Sequence, residues 1–211
     1  MTSEEKIIKG YIEFELLNGR APYSPLELTK KLKIDESVFY ESFSSLVQVQ
    51  QAIPLSLINK TLEVMDGDPS YSGFSAREKL LCLYFTLFEQ FQAQRSYLVL
   101  KYSDFKDIPK NMKDWGPFME RMNIRVEGIL GEGKDNSEVK DRPFIGAHYA
   151  KAYKVVFTYL FRVWLKDDSP EYTTTDAAIE KTVNLSFDML GATPLDSLLD
   201  FSKFAFKTKV F

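Results

Sequence analysis

The run from Ser24 to Val49, SPLELTKKLKIDESVFYESFSSLVQV, contains three helix starts in close succession and constrains the chain more than any other stretch. Ser24 offers a capping hydroxyl, Pro25 suits the first helical position, where an N–H would go unused, and Glu27 stands where it completes a capping box. Leu28 and Leu32 supply the buried stripe of this first short helix. Asp35 is a fresh N-cap, so the helix stops near Lys33 and leaves a short turn before Val38, Phe39 and Phe43, which recur at helical spacing. Ser45 with Gln48 is a further capping box. It opens a longer helix carrying Leu46, Val49, Ile53, Leu57 and Leu62. Two short helices that meet at a tight turn and run into a long one form a helix-turn-helix arrangement.

Upstream, residues 4–18 read as a helix with Ile8, Tyr11, Ile12 and Leu16 inward, ended by Asn18-Gly19. The parts thus come in a fixed order. Ile7 and Ile8 lie in a first helix closed by Gly19; Ser24-x-x-x-Leu28 follows, then Ile34-Asp35, then Phe39-Tyr40-x-x-Phe43-x-Ser45. In this order they resemble the N-terminal domain of the tetracycline-repressor (TetR) family of bacterial transcription regulators, over roughly the first quarter of the chain. Either Phe14 or Glu15 falls where the family has a phenylalanine. The resemblance implies that the helix beginning near Glu36 enters the DNA major groove, with Phe39 in the core and Tyr40 and Ser24 towards phosphate. The candidate DNA-binding set is Ser24, Lys33, Glu36, Ser37, Tyr40, Glu41, Ser42 and Ser45. Lys33 stands where the family has a turn glycine, Ser42 where it has His or Tyr, and Leu46 where it has Lys.

Charge pulls the other way. Residues 1–50 hold more acids (Glu4, Glu5, Glu13, Glu15, Glu27, Asp35, Glu36, Glu41) than bases (Lys6, Lys9, Arg20, Lys30, Lys31, Lys33), whereas phosphate neutralisation supplies most non-specific DNA affinity. Glu36 and Glu41 admit two readings: acceptors for cytosine N4, or a solvated face that repels phosphate.

The 211 residues suffice for one large or two small domains, and 45% hydrophobic with 14% aromatic content supplies a sizeable core. A net charge of −3 argues against a broadly polyanion-binding surface, and MTSEEK lacks the pattern of a secretory signal, so a cytoplasmic protein is expected. The single Cys82 excludes an internal disulfide; within LLCLYFTLF it reads as a buried thiol.

Further along, the fourth helix runs to about Met65, with Pro54 kinking or breaking it, and DGDPSYSG at 66–73 is the clearest linker. Ser75 and Glu78 form a capping box for a helix extending past Phe91 to about Tyr102. Its Tyr84, Phe85, Phe88 and Phe91 cover more than one face, which fits either core or ligand contact. An irregular stretch around Pro109 precedes a helix from Trp115 to Leu130, and 131–137 reads as an exposed loop without phosphate-binding framing. The most hydrophobic helix is 143–166, and its apolar middle, VVFTYLFRVWL, contains Arg162 and is far shorter than a membrane span. Asp167-Asp168-Ser-Pro breaks it. A last long helix at 175–190 is stopped by Gly191, and the tail FSKFAFKTKVF reads as a docked segment, a strand or a surface-active end.

No catalytic constellation is present: His148 is the sole histidine, and there is neither a G-x-S-x-G elbow nor metal-ligand spacing. No cofactor, metal or enzymatic activity is expected. The fold expected is all-α, nine or ten helices, with a helix-turn-helix domain at 1–47 and an antiparallel helical bundle at 48–211.

The resemblance implies a ligand-responsive regulator, in the first instance a repressor, that binds palindromic double-stranded DNA as a homodimer. It also implies a C-terminal cavity for a small apolar or aromatic molecule, for which Phe88, Phe91, Trp115, Met122, His148 and Tyr149 are candidate lining. The family pairs its last two long helices across the dimer, and Tyr153, Phe157, Leu160 and Trp164 are interface candidates by spacing. The alternative is a dimeric small-molecule- or protein-binding helical protein whose helix-turn-helix no longer binds DNA.

Overall fold

The computed structural model describes residues 2–102, 112–140 and 149–190. Every helix or strand among them is helical: α1 (Ser3–Asn18), α2 (Pro25–Leu32), α3 (Glu36–Ser42), α4 (Leu46–Gly67), α5 (Ala76–Gln92), α6 (Arg95–Tyr102), α7 (Gly116–Asp135), α8 (Tyr149–Lys166) and α9 (Thr173–Leu190). Short 3-10 turns lie at Tyr71–Gly73, Met112–Trp115 and Pro170–Tyr172. The all-α expectation holds. The residues expected around Pro109, at the start of the 143–166 helix and in the tail beyond Leu190 lie outside the described residues. The chain groups into two compact units, Met1–Gly67 with Thr86–Met122, and Asp68–Phe85 with Asn123–Phe211.

In the first unit α1 begins with a complete capping box, Thr2 accepting from the Glu5 N–H at 3.2 Å while Glu5 accepts from the Thr2 N–H at 2.8 Å. It ends at Gly19, whose φ of 65° is left-handed and whose N–H reaches the Glu15 carbonyl at 2.8 Å. The buried face is Ile7, Ile8, Tyr11, Ile12, Phe14 and Glu15; Leu16, expected inward, is 40% exposed. Phe14 and Glu15, the two contenders for one family position, are both buried. At Gly10 the helices approach so closely that a Cβ would lie 2.1 Å from Leu32 Cδ2.

Ser24 caps α2 as expected, accepting from the Glu27 N–H at 3.2 Å. The return bond goes elsewhere. Glu27 accepts from the Tyr23 N–H at 2.6 Å and from both terminal nitrogens of Arg20, at 2.7 and 3.2 Å, because a guanidinium fork fills both carboxylate oxygens. Asp35 occupies the N-cap position of α3 but makes no side-chain cap bond. Ser45 caps α4 through the Gln48 N–H at 3.3 Å, and Gln48 reaches back one residue further, to the Ser44 N–H at 2.7 Å. Pro54 is buried inside α4, which continues unbroken through it to Gly67.

The aromatic run expected as one helix to Tyr102 is two. α5 ends at Gln92, and α6 restarts at Arg95 after the Gln94 N–H bonds the Phe91 carbonyl at 3.0 Å. No glycine or proline marks the break. α6 packs on α1 and buries Tyr97, Leu98 and Tyr102.

In the second unit the capping box at Ser75 and Glu78 is present in both directions, at 2.8 and 3.2 Å. The Glu138 carboxylate adds acceptors for the Ala76 and Arg77 N–H groups at 3.0 and 3.4 Å. Arg77 reaches α9 at Asn184 (2.9 Å) and Asp188 (3.2 Å). The expected loop from Gly131 is instead the last turns of α7, which runs to Asp135. The reason is packing. A Cβ on Gly133 would sit 2.9 Å from the Ala76 Cβ and 3.0 Å from Val139 Cγ2, so the glycine is a close-approach site and not a loop signal. α8 packs on α9.

Candidate nucleic-acid interface

α3 has seven residues, well short of the roughly 12–15 a helix needs to persist alone in water. Its order comes from packing. Phe39 and Phe43 are buried against each other with ring centroids 6.0 Å apart, beside a core of Ile7, Ile8, Tyr11, Leu28, Val49 and Ile53. Burying each ring contributes about 1.5–3 kcal/mol, which fixes the rotation of the helix. With positions 39 and 43 inward, positions 37, 40, 41 and 44 point out, and Ser37, Tyr40, Glu41 and Ser44 are the exposed residues there.

Of the candidate DNA-binding residues, Ser37, Tyr40 and Glu41 therefore share one outward surface. Tyr40 is 54% exposed, its ring edge-on to Phe39 at 5.4 Å. Glu36, Ser42, Ser45 and Ser24 are half-buried. Glu36 opens the helix, where a carboxylate complements the N-terminal dipole. Ser24 and Ser45 use an oxygen lone pair for capping and keep a hydroxyl proton to donate. Lys33 is exposed in the turn at φ 53°, ψ 50°, the left-handed conformation usually given to glycine.

The bases divide into engaged and available. Arg20 is held by Glu27 and lies 3.9 Å over the Tyr23 ring. The bond to Arg20 in turn holds the Glu27 carboxyl below the usual range. Lys30, Lys31 and Lys33 are exposed, with no ion pair among the described residues. Glu41 is exposed and equally without one.

A second polar group in this unit was not anticipated. Glu15 on α1 is buried, accepts from Lys101 on α6 at 2.8 Å through Oε1, and leaves Oε2 without a hydrogen-bond partner. Tyr97 beside it has its hydroxyl pKa pushed up by burial and by the Glu15 charge. Glu15, Gly19, Arg20, Tyr97, Leu100 and Lys101 line a cavity of about 160 Å³. The signal was available: Glu15 lies one helical turn after Tyr11 on the apolar face of α1.

The aromatic ligand candidates assemble into one cluster. Phe91 meets Phe88 at 5.3 Å, Trp115 at 5.9 Å and Phe118 at 6.2 Å, and the Trp115 indole donates to the Tyr102 hydroxyl at 2.8 Å. Met122 is buried with them in the first unit. His148 lies outside the described residues, and of Tyr149 only the backbone, at the start of α8, is described.

The interface candidates Tyr153, Phe157, Leu160 and Trp164 are buried within the chain itself, with Phe161 stacked between Phe157 (5.8 Å) and Trp164 (5.9 Å). Spacing identified an apolar face but not which way it turns. The large apolar side chains that α8 and α9 expose are others: Val155 and Tyr159, Leu185 and Met189.

No described helix is long and apolar enough to cross a membrane, and no described group of His, Cys, Asp and Glu residues could hold a metal ion. Residues 79–205, more than half of the chain, match a family model described as tetracyclin repressor-like, C-terminal domain. The fold is similar to the crystal structure of a bacterial regulatory protein in the tetR family from Rhodococcus RHA1. That likeness has a TM-score of 0.56 at 14% identity and covers 92% of this chain and 99% of that one. No curated protein matches the sequence.

Proposed function

The chain belongs to the tetracycline-repressor family of regulators, and on that premise we propose that it is a ligand-responsive repressor that binds palindromic DNA as a homodimer in the cytoplasm. The observation that carries this reading is the division of α3: Phe39 and Phe43 anchor it, while Ser37, Tyr40 and Glu41 form a continuous outward surface flanked by the unpaired Lys30, Lys31 and Lys33. That is the arrangement a major-groove helix requires, with base-edge groups on the helix and phosphate donors beside it.

In this reading residues 1–47 form the DNA-binding head, and 48–211 bind the ligand and dimerise. The ligand is a small apolar or aromatic molecule, and its binding shifts the distance between two heads that must lie about 34–36 Å apart on DNA. Dimerisation uses the exposed side of α8 and α9, with Val155, Tyr159, Leu185 and Met189 in contact and Tyr153, Phe157, Leu160 and Trp164 forming the core behind them. The protein is a non-catalytic regulator.

One observation favours a second reading. The outward face of α3 carries an unpaired acid and no base, and Arg20 is occupied, so a dimeric helical protein that binds a small molecule or a protein, and no longer DNA, is the alternative. Selection from a random duplex library at low and moderate salt separates the two. Enrichment of a palindrome that is lost on Tyr40→Ala with Ser37→Ala supports the repressor; no enrichment even at low salt rejects it.

A further inference from the structure

We propose that Glu41 is a specificity-determining residue that reads the N4 amino group of a cytosine at one fixed position of each half-site. This inference rests on the DNA-binding reading above. Glu41 sits in the last turn of α3, where the exposed carbonyl ends make an electrostatically unfavourable place for a carboxylate. Glu36, the other acid of the helix, is explained by its place at the favourable N-terminal end. Glu41 has no such explanation, and no hydrogen bond or ion pair among the described residues engages it. It shares the outward face with Ser37, one helical turn before it, and with the half-exposed ring of Tyr40. An acid that local structure disfavours and nothing neutralises, on the surface that would meet base edges, marks a functional constraint.

The chemistry then narrows the target. An ionised carboxylate only accepts hydrogen bonds. The major groove offers two donors, the adenine N6 and cytosine N4 amino groups. At adenine the amino group lies beside the N7 acceptor, which repels the second carboxylate oxygen, whereas the neighbour of N4 on cytosine is a C–H. Guanine and thymine present only acceptors or a methyl group to this residue. Glu41 also repels phosphate wherever its base contact is missing, which weakens binding to wrong sequences more than to the right one.

The test uses the full-length chain and duplexes selected at low salt. The selected half-site is resynthesised with each base in turn at every position, and binding is measured by fluorescence anisotropy for the wild type, Glu41→Gln and Glu41→Ala. Because Glu41 is exposed and unpaired, both variants retain the fold. The wild type is expected to prefer cytosine at one position by about tenfold. Glu41→Gln moves that preference to adenine, whose N6 and N7 an amide can bind together. Glu41→Ala loses the preference, binding the cytosine site more weakly and the sites with another base at that position more tightly. If the three proteins select the same half-site, or the wild-type site has no position that requires cytosine, the assignment to Glu41 is overturned while DNA binding stands. If the wild type enriches no sequence, both the assignment and the DNA-binding reading fall.

Discussion

Asp167 accepts two hydrogen bonds from Thr175, the backbone N–H at 2.7 Å and the hydroxyl at 2.6 Å, and thereby closes the corner between α8 and α9. Its other oxygen accepts from the Ser169 N–H at 3.0 Å and the Ser169 hydroxyl at 2.5 Å. Burial alone would raise the carboxyl pKa, but the four bonds to its ionised form bring it down from 3.8 to about 2. A depressed folded-state value means stability that is present above pH 4 and lost as the pH falls from about 4 to about 2. Acid unfolding followed by circular dichroism should show about 2 kcal/mol lost across that window, and Asp167→Asn should flatten this part of the profile.

Gly133 and Gly128 lie in the same helix and should respond in opposite directions to alanine. A Cβ on Gly133 meets the rigid Ala76 Cβ at 2.9 Å, so Gly133→Ala should destabilise the protein by about 1–3 kcal/mol. Nothing lies within 4 Å of a Cβ on Gly128, and Gly128→Ala should add about 0.5–1 kcal/mol from helix propensity. Urea denaturation of the pair decides the matter; two stabilising substitutions would mean that the approach at Gly133 is not tight.

Lys33 holds a left-handed conformation that costs a side-chain-bearing residue about 1 kcal/mol. Lys33→Gly should therefore raise stability by about 0.5–1 kcal/mol, while removing one donor from the basic flank and lowering the salt dependence of any DNA binding. An unchanged denaturation midpoint would show that the turn is unstrained.

Removing Lys101 leaves the Glu15 carboxylate buried without its cation. Lys101→Met should cost about 2–3 kcal/mol, while Glu15→Leu combined with Lys101→Met should recover most of the loss, since an apolar pair needs no compensation. Equal losses in the single and double variants, read from thermal unfolding, would count against the pair as the cause.

Leu185 is 59% exposed on α9. Leu185→Asp should turn a dimer into a monomer in sedimentation at micromolar concentration, with helical content unchanged. A dimer that survives this change would place the interface elsewhere.

Local chemistry was legible where the chain states it locally. Ser24, Ser75 and Gly19 end or begin helices where their caps say they should, and Phe39 and Phe43 turn inward at the spacing that proposed them. What escaped depends on residues distant in sequence. The break at Ala93 and Gln94 has no glycine or proline, and α6 is set by packing on α1. Gly133 looks like a loop residue until Ala76 and Val139 are beside it. On α8, apolar side chains recur densely enough that periodicity cannot tell which set faces its own core; Tyr153 and Phe157 do, and Val155 and Tyr159 do not.

The two sides of α3 answer to separate physical constraints. Changes at Phe39 or Phe43 strike the core, but exposed positions such as Ser37 and Glu41 can be exchanged at a stability change within about 0.5 kcal/mol. If α3 reads DNA as proposed, a daughter protein could acquire a new target by altering these exposed positions, with its folding inherited intact.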